Sequence, residues 1–275
     1  MNVEDFGVGP IPLIAPGPAL TADQRARYAR QLSMADFDET AQTRLLAARV
    51  LVLGAGGLGS PALLYLAGAG VGAGDGILGV VDSDEVEAVN LQRQVIHDQA
   101  GVGRPKAESA ADRLRALNPD VNVVAHAVRL DASNVDELIA GYDIVVDGAD
   151  NFASRYVLHD ACQRAGKPVV WASVLVARAQ VSVFWRTPTA GIGLRDVFPV
   201  EPAASVAPPA REVGVLGPLT GTAGAILATE TIKLITGIGE PLLGRLLLID
   251  ALAGSFEQLV IRSLPRAQIG GPDAS

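Results

Sequence analysis

Short aliphatic runs alternate with longer stretches of helical pattern along most of this chain. Residues 50–53, 77–81, 121–126, 142–147 and 169–173 are too short for helices and rich in β-branched residues, and they predict buried strands. Helical patterns occupy 61–70, about 104–118, 133–140 and 153–165 between them. This alternation predicts an α/β fold, a Rossmann-like doubly wound sheet that is parallel in its N-terminal part. The run 179–185 alternates apolar and polar residues, so the sheet becomes mixed or antiparallel in its C-terminal part, where 245–250 and 256–262 close it as a strand pair. Thr21 caps a first helix with Asp23 in its first turn, and a second helical run over 34–48 leads into the first strand. Residues 1–20 are rich in glycine and proline and read as an arm, flexible or ordered on contact. Residues 71–76 read as a flexible glycine connection and 187–217 as a long proline-studded crossover loop. One domain over 21–265 and a loose tail over 266–275 complete the plan.

Composition narrows the class. The 275 residues are 49% hydrophobic with mean hydropathy +0.31, enough for a sizeable core. A formal net charge of −8 argues against general nucleic-acid binding, so any grip on phosphate must be local. Cys162 is the only cysteine, which excludes an intramolecular disulfide and a multi-thiolate zinc site and suits a reducing cytoplasm. With no neighbouring cationic cluster, Cys162 reads as a packed apolar residue. Glu4, Asp5, Pro10, Pro12, Pro16 and Pro18 fit neither a signal nor a transit peptide. Glu230 and Lys233 interrupt the apolar stretch 216–238, which reads as a core or interface helix and not as a membrane span.

The candidate chemistry begins at Gly54-Ala-Gly56-Gly57-Leu-Gly59, a G-x-G-x-x-G turn between a strand and a helix. Gly54 permits the tight turn, Gly56 admits a phosphate to the backbone and Gly59 lets helix and strand pack closely. Binders of NAD, FAD and ATP share this motif, so it does not choose among them. Asp82 ends the next strand, where a ribose hydroxyl is held in βαβ nucleotide sites. Lys106 stands at a helix N-terminus, the wrong end of the dipole for a cation, and an anionic ligand would make that placement favourable. Arg93 and Lys106 therefore read as phosphate contacts. Asp150 sits at the same sheet edge and suits Mg²⁺, whereas Asp147 reads equally as structural. His97 reads as a packed or solvated loop histidine, and Arg25, Arg27 and Arg30 as a solvated face or an anion contact.

Taken together, Arg27-Tyr-Ala-Arg30-Gln31, the glycine turn, Asp82-Ser-Asp84, Asn90-Leu-Gln-Arg93-Gln94, Lys106 and Asp150-Asn151 resemble the ThiF/MoeB/HesA family, bacterial relatives of ubiquitin-activating enzymes. The resemblance runs from about residue 23 to 262. It implies a homodimeric adenylyltransferase that binds ATP and Mg²⁺ and activates the C-terminal Gly-Gly carboxylate of a ubiquitin-like sulfur-carrier protein. Carried over, Gly54, Gly56, Gly57, Gly59, Asp82, Asp84, Asn90 and Gln94 would bind the nucleotide, with Asp82 on the ribose. Asn90, Arg93 and Lys106 would meet the phosphates, Asp150 would hold Mg²⁺, and Arg30 would reach into the partner subunit's site.

Two departures stand out. The C-x-x-C pairs that hold zinc in many relatives are missing, so no zinc is expected. The cysteine that many relatives carry in the crossover loop is also missing; that region reads Ala207-Pro-Pro-Ala-Arg-Glu212, so no covalent step is expected there and sulfur would come from a separate donor. Other readings are activation of a small-molecule or tRNA-borne carboxylate, and a non-catalytic nucleotide-binding scaffold. An NAD-dependent oxidoreductase is disfavoured by the cations around the glycine turn.

Overall fold

A computed structural model describes residues 11–187, 190–200, 202 and 213–262. The first strand, β1 (Arg49–Leu53), is the hub of the sheet. It pairs in parallel with β2 (Ile77–Val81) on one side and β4 (Ile144–Asp147) on the other. Beyond them lie β3 (Val123–His126) and β5 (Val169–Leu175), also parallel. The order β3-β2-β1-β4-β5 reverses direction at β1, which makes the carboxyl edge between β1 and β4 the topological switch point. Register brings Leu53 level with both Val81 and Asp147, so Gly54, Asp82 and Gly148 leave the sheet side by side.

Antiparallel pairing takes over at β6 (Arg178–Arg186), then β8 (Arg245–Asp250) and β9 (Ser255–Val260), as the alternation at 179–185 predicts. A two-residue hairpin joins β5 to β6. Its first residue, Val176, has φ 55, a conformation that hairpins usually give to glycine. The sequence carries no turn signal there.

The parallel strands are buried on both faces because successive side chains point to opposite sides. Val50 and Val52 pack with Leu63 and Leu66 of α4 (Gly59–Ala69), Leu114 of α5 (Lys106–Leu117) and Leu45 of α3 (Glu39–Ala47). Leu51 and Leu53 pack against Ile139 of α6 (Val135–Ala140) and Leu158 and Cys162 of α7 (Phe152–Ala165). The long helix 217–236 lies in the first layer, where Leu227 and Leu234 are fully buried. Its Glu230 is 2% exposed, accepts from Lys233 and also takes the Leu242 N–H at 2.7 Å. Among the described residues no helix is long and apolar enough to cross a membrane.

Several boundaries differ from expectation, each for a local reason. The first helix divides at Tyr28 into α1 (Ala22–Arg27) and α2 (Ala29–Leu32), since the Tyr28 hydroxyl is buried and accepts from Asn118. Helix α3 starts at Glu39 instead of 34 because the Asp38 carboxylate caps the Ala41 N–H at 2.8 Å. The glycine connection at 71–76 is tied down, not loose: Gly72 and Gly76 donate to Leu45 and Leu46, and a Cβ on Gly76 would lie 2.3 Å from the Ala48 carbonyl oxygen. Close approach, not freedom, demands glycine there. Residues 11–20 of the expected arm lie on the core, with Leu13 donating to Leu234 and Leu20 buried. Within the expected crossover loop, β7 (Gly191–Ile192) pairs with β6, and α8 (Leu194–Val197) is fixed by Arg186 pairing with Asp196. Residues 1–10, the segment 207–212 and the tail from 263 lie outside the described residues. The 217–236 helix is α9 below.

Candidate active site

Four helices begin around the glycine turn. Helix α4 starts at Gly59, where a Cβ would lie 1.7 Å from the Gly54 carbonyl oxygen, so packing alone requires this glycine. Gly54 has φ +89, and a Cβ on Gly57 would press on Thr220 of α9 at 3.1 Å. Gly56 is different. A Cβ there meets only the Gln94 amide nitrogen, at an ordinary 3.6 Å, so the protein itself does not require glycine at this position. A ligand lying against the backbone would require it. Among the described residues the N–H groups of Gly56, Gly57 and Leu58 have no acceptor, as an anion cradle at a helix start provides.

Asp82, Asp84 and Lys106 form a chain of contacts to this turn, and the loop before Asp150 packs on it. The half-buried Asp82 takes the Ala55 N–H at 2.8 Å and the Asp84 N–H at 2.9 Å, one on each carboxylate oxygen. Each oxygen keeps acceptor capacity, which suits hydroxyl donors such as those of a ribose. Burial pushes the Asp82 carboxyl above the usual range, against the pull of those two N–H groups and of Lys106. The Lys106 side chain is 6% exposed and reaches Asp84, whose own side chain is 67% exposed, at 3.0 Å. Asn90 and Arg93 are linked at 3.1 Å on a 3-10 turn and the loop after it. Gln94 is 4% exposed with an amide oxygen that has no partner, an orphaned buried polar atom next to Gly56.

On the β4 side, Gly148 packs against the Leu53 carbonyl and Gly59, so the loop that carries Asp150 backs directly onto the turn. Asp150 is exposed, beside Asn151, which caps α7 through the Ser154 N–H. Asp147 is fully buried. It accepts from His159 at 3.0 Å, lies 4.0 Å from Arg155 and holds the Ala149 N–H. Although burial pushes the Asp147 carboxyl up, the His159 hydrogen bond and the Arg155 charge outweigh it and hold the group below the usual range. Its structural reading is the right one. Cys162 is buried, and burial pushes its thiol up to about 12, so no reactive thiolate forms there.

Arg30 does not join the cluster. Its neighbour Gln31 contacts the Ala69 carbonyl at the far end of α4 from the glycine turn. Eleven residues of helix separate the two ends, about 16 Å. Arg25 pairs with Glu39 and Arg27 with Asp120, whereas Arg30 is exposed without a partner among the described residues. Two contributors were not legible in the sequence. His97 is buried against the turn, and the first turn of α9 abuts it through Thr220, with Gly217 against Gln92.

A reversing parallel sheet with a glycine turn, a strand-end carboxylate and a buried lysine at its switch point defines a nucleotide-binding α/β protein. The chain belongs to the ThiF family, which matches residues 28–269. It is 50% identical over 256 residues to the "Probable adenylyltransferase/sulfurtransferase MoeZ" of Mycobacterium tuberculosis, covering 92% of this chain and 64% of that one. It is 46% identical to the "SAMP-activating enzyme E1" of Haloferax volcanii, with 92% and 91% covered, and 44% identical to the "Sulfur carrier protein adenylyltransferase" of Thermus thermophilus, with 92% and 93% covered. The chain thus spans about two thirds of the MoeZ relatives' length and nearly all of the other two. A crystal structure of E. coli MccB with ATP superposes with TM-score 0.76 at 23% identity, covering 88% of this chain and 74% of that one, which supports the fold.

Proposed function

We propose that this chain is an adenylyltransferase that uses ATP to activate the C-terminal Gly-Gly carboxylate of a ubiquitin-like sulfur-carrier protein. The observation that carries this reading is the open backbone at Gly56–Leu58, a glycine the protein itself does not need, beside Asp82, which holds the Ala55 N–H and, through Asp84, connects to Lys106. In the proposed reaction a carboxylate oxygen of the carrier bonds to the α-phosphorus. The bond to the bridging oxygen breaks, and pyrophosphate leaves with that electron pair. No proton moves and no protein nucleophile is required. The site's task is to bring two anions together and neutralise charge as it shifts to the leaving group. Arg93, Lys106 and the N–H groups of the turn do this, and Asp82 orients the nucleotide through its ribose. Asp150 would hold Mg²⁺, a hard cation that supplies further charge neutralisation on phosphate oxygens.

The distance from Arg30 to its own glycine turn supports a homodimer in which Arg30 serves the partner's site. A buried Cys162 as the only thiol supports a separate sulfur donor and suits a cytoplasmic enzyme. ATP–pyrophosphate exchange with Mg²⁺, run with a panel of carriers ending in Gly-Gly, tests the reading. Exchange that depends on one carrier supports it and names the substrate. ATP binding without exchange on any carrier would move the assignment to another carboxylate or to a scaffold. The in-trans role has its own test: mixing Arg30→Ala with Asp150→Ala subunits rebuilds one intact site in each hybrid dimer. Hybrid dimers without regained activity would reject it.

A further inference from the structure

We propose that His97 is a positioning residue that locks the glycine turn to the helix bearing Lys106, so that the two phosphate-binding elements present one geometry to ATP. The inference rests on the adenylation reading and assigns a role to a buried histidine beneath the glycine turn. His97 is 7% exposed, and both ring nitrogens are engaged. Nε2 lies 2.9 Å from the Ala55 carbonyl oxygen, in the middle of the turn. A carbonyl can only accept, so Nε2 carries the proton and donates. Nδ1 of the neutral ring then accepts from the Ser109 hydroxyl at 3.0 Å. Ser109 lies one turn along α5 from Lys106, and its N–H is bonded to the Pro105 carbonyl.

The opposite side of the same residue is held too. Asp82 takes the Ala55 N–H at 2.8 Å, so the two faces of the Ala55 residue are gripped by the ribose candidate and by His97. Ser60 adds a hydroxyl contact to the Ala55 carbonyl at 3.2 Å. The backbone orientation at Ala55 sets where the free N–H groups of Gly56 and Gly57 point. Burial pushes the imidazole below the usual histidine range, with the Lys106 charge acting in the same direction and the Ala55 hydrogen bond and Asp98 opposing, so the neutral ring that this bonding pattern uses is favoured. Ser109 and His97 touch, yet both are buried and the Ser109 hydroxyl is closed to a substrate, so the pair is not a nucleophile and its base.

The test compares His97→Ala, His97→Gln and Ser109→Ala by ATP binding in the presence of Mg²⁺, by the KM and kcat of ATP–pyrophosphate exchange, and by melting temperature. Glutamine can place its amide N–H₂ where Nε2 stood and restore the bond to Ala55. His97→Ala is expected to weaken ATP binding and raise the KM for ATP about tenfold while kcat at saturating ATP changes less than about threefold. His97→Gln should return to within about threefold of the wild type, and Ser109→Ala should fall between them. ATP binding equal to the wild type in folded His97→Ala overturns the proposal. So does a His97→Gln protein as impaired as His97→Ala at the same melting temperature, because the restored bond to Ala55 would then not be what His97 supplies. Should His97→Ala fail to fold, the Gln and Ser109 variants carry the same comparison, and wild-type KM in both rejects the role. A wild-type protein that binds no ATP overturns the adenylation reading itself, an outcome separate from normal ATP binding in every variant.

Discussion

The ends of β2 and β4 are built alike and behave differently. Each carries a strand-end aspartate bonded to backbone N–H groups, Asp82 and Asp147, followed within three residues by an exposed one, Asp84 and Asp150. In both, the first carboxylate shapes the loop and the second faces outward. Their partners differ. Asp147 has His159 and Arg155 around it, is held ionised and is fully buried, closed to any ligand. Asp82 has mainly backbone dipoles, with Lys106 as a more distant cation, and burial raises its pKa. A fully buried carboxylate paired with a buried arginine is a brace, whereas a half-buried one held mainly by backbone N–H groups can still meet a ligand. Two similar motifs at one sheet edge thus divide into a strut and a contact.

The largest effect should come from breaking the strut. Asp147→Ala leaves the Arg155 guanidinium buried at 3% exposure without its counter-charge, and losing one partner of a buried pair costs about 3–5 kcal/mol. Urea melts measure this, and a loss below about 1 kcal/mol would show that the carbonyls of Ala149 and Ala172 suffice for Arg155. Next comes the exposed member of that pair. Asp150→Ala should leave the melt unchanged and lower Mg²⁺-dependent exchange by about 10²-fold, the scale of losing one electrostatic stabiliser of a transition state. Equal exchange by both proteins would remove Asp150 from the site. On the β2 side, Lys106→Ala removes a buried cation from the proposed phosphate cradle and should raise the KM for ATP by about tenfold, a charge-assisted hydrogen bond's worth. If ATP affinity instead rises, the Asp84 partnership, not phosphate, is the main business of Lys106.

The order of strands and helices was legible because apolar runs have different lengths in buried strands and in helices, and the switch to antiparallel pairing showed in the alternation at 179–185. The glycine turn and Asp82 were legible because backbone geometry restricts which residues can stand there. The expected flexibility at 71–76 was wrong because glycine marks both freedom and crowding, and only the neighbouring Ala48 and Leu46 carbonyls show which applies. Val176 gave no sign at all, since a β-branched residue at φ 55 is held by bonds to Gly214 and Leu216, nearly forty residues away. The sequence leaves His97 as a packed or solvated loop histidine, and burial decides for the first. What it packs against depends on two partners 42 and 12 residues distant.

The smallest effect separates the strut from the contact by acid. A ribose hydroxyl donates only to an ionised or accepting Asp82 oxygen, so ATP binding favours the ionised form, and affinity rises with pH through the Asp82 pKa. Because that pKa is raised above the ordinary value of about 3.9, the loss of affinity on acidification begins at a higher pH than an unperturbed aspartate would give. Asp147 works in the opposite direction on stability. Its lowered pKa contributes stability present above about 3.9 and lost as pH falls through the folded-state value, so it leaves ATP affinity untouched in the window where Asp82 titrates. Buried His97, whose pKa is also lowered, costs stability as pH falls from about 6.5 towards its folded value. The affinity measurement must therefore be made on protein that circular dichroism shows to be folded at each pH. A few-fold fall in ATP affinity over that window, abolished in Asp82→Asn and retained in Asp147→Asn, assigns the ligand contact to β2. A fall retained in Asp82→Asn would mean that the phosphates or Lys106, not the strand-end carboxylate, set the pH response.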